Sequence, residues 1–145
     1  MKVNTYGEYL KNLHRYPGAR WWKFDFHTHT PASDDTPWKD PPITVERWLT
    51  KFMKADIDCV VVSDHNSGNW SDKLQLAYAR MEALVNDGTP PDGFRPLTIF
   101  PGVEISAHDG VHILAMFDPE VDKSRIDDVL ARAHFPVLEK EKTVA

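Results

Sequence analysis

The chain has 145 residues, 41% of them hydrophobic, and a formal net charge of −5. Those figures fit one ordinary domain with a real core. They give no electrostatic footprint of a nucleic-acid groove, although metal ions can still recruit phosphate to a negative chain. Residues 1 to 20 are polar and mixed, too polar for a signal peptide, and read as an N-terminal extension. A short helix is expected there around Tyr6 to Leu13, ended by Pro17-Gly18. Trp22 to His29 is aromatic-rich and strand-like, and the four prolines and three aspartates of residues 31 to 42 predict a loop. Thr44 offers a helix N-cap with Glu46 in the first turn. Val45, Trp48, Leu49, Phe52 and Met53 then fall on one helical stripe.

Ile57 to Ser63 is a β-branched run, the mark of a strand covered on both faces. Asp72 to Asn86 predicts a second helix that buries Leu74, Ala77, Tyr78, Met81, Leu84 and Val85. Leu97 to Ile105 and Val111 to Phe117 read as strands joined by SAHDG, and Ile126 to Ala133 as a last helix. The order β-α-β-α-β-β-α predicts an α/β fold with parallel strands. No apolar run approaches the roughly 18 residues of a membrane helix. Cys59 is the lone cysteine, so no internal disulfide forms. The expectation is a soluble, cytoplasmic chain with no membrane partner.

Strand ends are where such folds build active sites. In WKFDFHTHTPASDD, strand alternation puts Asp25, His27 and His29 on one face, with Phe24 and Phe26 on the other, under a helix. Two histidines about 7 Å apart along a strand can share a metal, or can be satisfied structural histidines. VVVSDHN delivers Asp64 and His65, FPGVEIS delivers Glu104, and GVHILAMF delivers His112. A tight hairpin would set residues 104 and 112 opposite each other. Buried ionisable groups cost free energy unless paired or metal-bound, so four such strand ends point to a metal cluster. Imidazoles and carboxylates without thiolates suit two or three Zn, Mn or Fe ions. Such clusters hydrolyse phosphate esters.

Those four segments, in order over most of residues 22 to 117, resemble a PHP (polymerase and histidinol phosphatase) domain. The resemblance implies a distorted (βα)7 barrel with a cluster of usually three metal sites. It implies His27, His29, Asp34, His65, Glu104 and His112 as metal ligands, with Asp35 the alternate to Asp34. Asp64 and His65 are the expected catalytic pair, and Asp25 and Asp64 the acids that orient histidines. The family's further strands, another histidine and a late Asp-x-His pair have no match after His112, so residues 21 to 145 read as the N-terminal half of the barrel. The expected covering of its open apolar edge is the missing half or a second copy, as a homo-oligomer. GARWWKFDFHTHTPASDD also resembles TrlF-type proteins, which join a PHP domain to an SMC-like ATPase. The function implied is a phosphoesterase acting on a phosphomonoester, nucleotide or nucleic acid. The alternative is a catalytically incomplete structural or regulatory module of an ATPase-linked nucleic-acid-processing protein.

Among other residues, Cys59 is expected in the core and Trp21, Trp22, Trp48 and Trp70 in packing. His14, His108 and His134 are expected at the surface, and Lys39 and Lys73 as solvated lysines. The lack of G-x-x-x-x-G-K-[ST] and G-x-G-x-x-G excludes ATP binding by those loops.

Overall fold

A computed structural model describes residues 21–38, 41–106 and 110–133. The helix expected near Tyr6, and His14, Lys39, His108 and His134, lie outside the described residues. The elements run β1 (Phe24–Thr28), α1 (Val45–Lys54), β2 (Cys59–Val62), α2 (Ser71–Asn86), β3 (Thr98–Ser106), β4 (His112–Met116) and α3 (Lys123–Arg132). The strands form one sheet in the order β1-β2-β3-β4. β1, β2 and β3 are parallel, and β4 returns antiparallel on β3. This is a mixed α/β fold with the element order that the sequence predicts.

Helix α1 starts where the cap demands. The Thr44 hydroxyl accepts from the Arg47 N–H at 3.3 Å, with Glu46 in the first turn and Lys51 and Lys54 in the last. Helix α3 starts earlier than its apolar residues imply, because the Asp122 carboxylate caps it, accepting from Ser124 N at 2.9 Å. In α2, Leu74, Ala77 and Met81 are buried, whereas Leu84 is exposed. Leu84 lies in the helix's last turns, past Met81, the last α2 residue in the core.

The core lies on one face of the sheet. Val60, Val62 and Ile99 pack under Trp48, Leu49, Met53, Leu74 and Met81 from α1 and α2. Val103 and Ile105 on the same face pack under Ile126 and Leu130 of α3. Residues of opposite parity line the other face, where Cys59 and Val61 are nonetheless buried. Register puts Phe24 beside Cys59, on the face away from the helices. The expected packing of Phe24 and Phe26 under a helix is therefore corrected. Phe24 stacks on Phe26 at 4.1 Å and on Phe100 at 5.3 Å, and Phe26 is 59% exposed. Trp48 and Trp70 are buried as expected, but Trp21 is almost fully exposed rather than packed.

Gly102 sits where three strands crowd together. A Cβ there would meet the Ala115 carbonyl oxygen and Val61 Cγ1, each at 2.8 Å. The first of these is backbone and cannot swing aside. Gly102→Ala is therefore expected to destabilise the fold by about 1–3 kcal/mol, the usual range for overpacking. Urea denaturation measures this, and an unchanged midpoint would show that β3 and β4 separate freely.

Candidate metal centre

The centre forms on the sheet face opposite the helices, at the C-terminal ends of β1, β2 and β3. Alternation along β3 sends Val103 and Ile105 into the core and Glu104 to this face. Glu104 is only 1% exposed, so its carboxylate forms the buried floor.

A bulge in β1 delivers the first two imidazoles. Asp25 pairs with Val60 and Thr28 with Val62, so β1 runs three residues where β2 runs two. The extra residue breaks strict alternation. Asp25 takes the row of Val60, and its carboxylate accepts from the His27 N–H at 3.3 Å. The expected role of Asp25 in orienting an imidazole is thus replaced by a local turn bond at the bulge. His27 Nε2 meets Glu104 Oε2 at 2.6 Å, His29 Nε2 meets the same oxygen at 3.0 Å, and the two Nε2 atoms are 2.9 Å apart.

His65 arrives just past β2, bridged in parallel to Glu104. Its Nδ1 lies 3.7 Å from Glu104 Oε2 and its Nε2 3.1 Å from Asp35 Oδ2. The other Asp35 oxygen meets His29 Nδ1 at 3.1 Å. Asp35, rather than Asp34, is thus the carboxylate that faces the imidazoles. Asp34, one residue earlier in the turn, belongs to none of the three groups that could hold a metal.

The expected pairing of residues 104 and 112 is corrected by two positions: His112 pairs with Ser106, and Glu104 with Leu114. A shift of two keeps the face, so His112 is a diagonal neighbour of Glu104. Its Nδ1 contacts Glu104 Oε1.

Three overlapping groups result: His27–His29–Glu104, His29–Asp35–His65 and His65–Glu104–His112, each with ligand atoms within 4.8 Å of one another. Burial pushes the Glu104 carboxyl up, but the His27 hydrogen bond and the nearby His65, His27 and His112 rings outweigh it and hold it below the usual glutamate range. Burial likewise opposes ionisation of Asp35, and His65 and His29 outweigh it. Both acids are therefore anions at neutral pH. Among the described residues, no lysine or arginine is ion-paired with either. Glu104 Oε1 is buried and faces His112 Nδ1. A buried anion whose two oxygens are both met by converging imidazole nitrogens fits divalent cations.

Residues that the sequence reading passed over support these side chains. Asn66 turns the chain at φ 47, its N–H donates to the Glu104 carbonyl at 2.9 Å, and its Oδ1 accepts from Ser106 N at 3.3 Å. Asparagine directly after Asp64-His65 was a legible signal, since it tolerates left-handed backbone. Ser106 Oγ lies 3.3 Å from His65 Nδ1, and its place two residues after Glu104 put it on the same face. Trp38 Nε1 and Trp48 Nε1 both donate to the His29 carbonyl, at 2.9 and 3.2 Å. Lys73, expected to be solvated, lies 5.9 Å from the centre of the Trp70 ring.

Compared with known proteins, the chain matches no family model, and no curated protein matches it. No helix among the described residues is long and apolar enough to cross a membrane.

Proposed function

We propose that the chain is a metal-dependent phosphoesterase of the PHP type, built on the N-terminal half of a distorted (βα)7 barrel. One observation carries this reading: the buried Glu104 carboxylate meets the imidazoles of His27, His29, His65 and His112. The motif order, the three parallel strands and helices packed on the face away from the site add support.

Chemistry limits how the groups share ions. A neutral imidazole ligates through one nitrogen, whereas a carboxylate offers two oxygens. His27–His29–Glu104 and His65–Glu104–His112 share only Glu104, so those residues would hold two ions at once. His29–Asp35–His65 would hold a third through the imidazole nitrogens that face Asp35, but it shares His29 and His65 with the other two groups. These residues therefore suit two ions better than three. Each group supplies three protein ligands, the number that leaves a position open in catalytic rather than structural zinc sites. Zn, Mn and Fe all suit this donor set.

Bound ions would supply Lewis acidity toward phosphoryl oxygens and lower the pKa of water. The chain does the rest. Glu104 and His29 form the buried floor, while His27 and His112, about half exposed, form a rim open to a phosphate ester. With no ion between them, His65 Nε2 and Asp35 Oδ2, 3.1 Å apart on the solvent side, would share a proton that can pass to a leaving group. His65 keeps its catalytic assignment. Asp64 does not, because its 1% exposure leaves no path to substrate.

The test is metal analysis of the purified full chain, with hydrolysis of p-nitrophenyl phosphate and bis(p-nitrophenyl) phosphate in Mn²⁺. Bound transition metal and chelator-sensitive hydrolysis are expected, and the preferred ester separates phosphomonoesterase from nuclease-like action. Hydrolysis of no phosphate ester would favour the structural or regulatory module, and failure to take up any ion would overturn the phosphoesterase reading.

A further inference from the structure

Asp64 is buried, and its carboxylate is spent on one turn of the chain. Oδ1 accepts from the Thr30 N–H at 2.7 Å and from the Ser33 hydroxyl at 2.8 Å, and Oδ2 accepts from the Thr30 hydroxyl at 2.5 Å. Among the described residues, no imidazole nitrogen hydrogen-bonds to it. The turn it holds also closes on itself and on β2. Thr30 Oγ1 accepts from Ala32 N at 3.1 Å, Ser33 N donates to the Thr30 carbonyl at 3.1 Å, and Ser33 Oγ accepts from His65 N at 3.1 Å. The Asp64 carbonyl accepts from Glu104 N at 3.1 Å. Thr30, Ser33 and Asp64 are each at most 1% exposed.

The consequence is geometric. His29 precedes Thr30, Asp35 follows Ser33 by two residues, and His65 follows Asp64. The groups that Asp64 clasps therefore flank the members of one metal group, His29–Asp35–His65. The Glu104–His112 contact is set instead by the pairing of β3 with β4. Asp35 is the ligand most dependent on the clasp, since it lies on the exposed side of a loop with no strand of its own.

We propose that Asp64 is a positioning residue that clasps the Thr30–Ser33 turn, so that Asp35 meets His29 and His65. It thereby sets occupancy of the Asp35 ion position without touching metal or substrate. This rests on the reading of the site as a metal centre. Residues that orient ligands typically account for 10- to 100-fold in metal affinity. Asp64→Asn keeps the size but offers one acceptor oxygen and an NH₂ to three donors. Thr30→Val keeps charge and shape and deletes one hydroxyl, and Thr30→Ser restores it.

The test is titration of the metal-free full chain with Co²⁺ or Mn²⁺, read by absorbance or calorimetry, with Asp35→Asn and Glu104→Gln as references. Asp64→Asn and Thr30→Val are expected to weaken, by about 10- to 100-fold, the same class of ion that Asp35→Asn removes. The ions that depend on Glu104 should remain, and Thr30→Ser should titrate like the parent. If Asp64→Asn does not fold, the Thr30→Val and Thr30→Ser pair decides alone. A full, unchanged set of ions in both Asp64→Asn and Thr30→Val overturns the clasp while leaving the metal centre intact. Equal loss of every class, together with lower thermal stability, also overturns it, as a merely structural role. A parent chain that binds no ion overturns the metal-centre reading itself.

Discussion

Glu104→Gln is expected to make the chain insensitive to Mn²⁺ and to make the metal-free fold somewhat less stable at neutral pH. The two halves of that expectation have different causes. Glu104 serves two of the three ligand groups, and glutamine keeps its size but removes the charge and one good ligand oxygen. Losing a residue that merely orients a ligand weakens metal binding about 10- to 100-fold, so loss of a shared ligand should exceed that. Without metal, Glu104 is a buried anion met by His27, His29, His65 and His112, and those contacts hold its carboxyl below the usual glutamate range. A neutral amide gives up the charge-assisted contacts that outweigh the desolvation of the carboxylate, so the metal-free variant should unfold at a lower temperature than the metal-free parent at neutral pH. A ligand held only by the folded state adds about 2.7 kcal/mol at a hundredfold excess over its Kd. Thermal unfolding with and without Mn²⁺ should therefore show a gain for the parent and none for the variant. An equal gain in both would mean that Glu104 is not the bridging ligand.

What the sequence showed follows from what each signal depends on. The α1 stripe, the Thr44 cap and the apolar β2 run are local patterns, and Trp48, Leu49, Met53 and Val60 to Val62 are buried as those patterns predict. The residue types of the candidate site were legible because an ionisable group carried to the end of an apolar strand loses water, and a metal or a counter-charge must offset that loss. Register was not legible, because it is settled between strands. Nothing within FDFHT announces that β1 spends three residues against two of β2, and that extra residue moves Asp25 off the imidazole face. Nor does SAHDG reveal that His112 sits opposite Ser106 rather than Glu104. Asp34 and Asp35 are indistinguishable by composition, and the path of the turn after Thr30 is what brings Asp35 to His29 and His65. Phe26 owes its exposure to something simpler: alternation keeps it with Phe24 on the face opposite the helices, in an edge strand.

Trp48→Ala should cost the most stability of any single change in α1, about 3–5 kcal/mol by the range for buried aromatic truncations. Trp48 is fully buried, its ring is 4.3 Å from that of Phe52, and it sits in the cluster that joins α1 to β2 and α2. Whole domains are stable by only about 5–15 kcal/mol, so this loss can leave the chain close to unfolding at 37 °C. Trp48→Phe separates packing from hydrogen bonding. It keeps an aromatic ring in the core and drops only the bond from Nε1 to the His29 carbonyl, which Trp38 Nε1 still satisfies at 2.9 Å. Because that acceptor is not orphaned, the lost bond itself should contribute only about 0.5–1.5 kcal/mol. The smaller ring adds a cavity term of its own. Urea denaturation of the parent and both variants orders these terms. Metal titration of Trp48→Phe then asks whether anchoring the backbone of His29 matters to the centre. With Trp38 still in place, its metal affinity should stay within a few-fold of the parent. A loss as large as that of Asp35→Asn would mean that Trp48, and not Trp38, fixes His29.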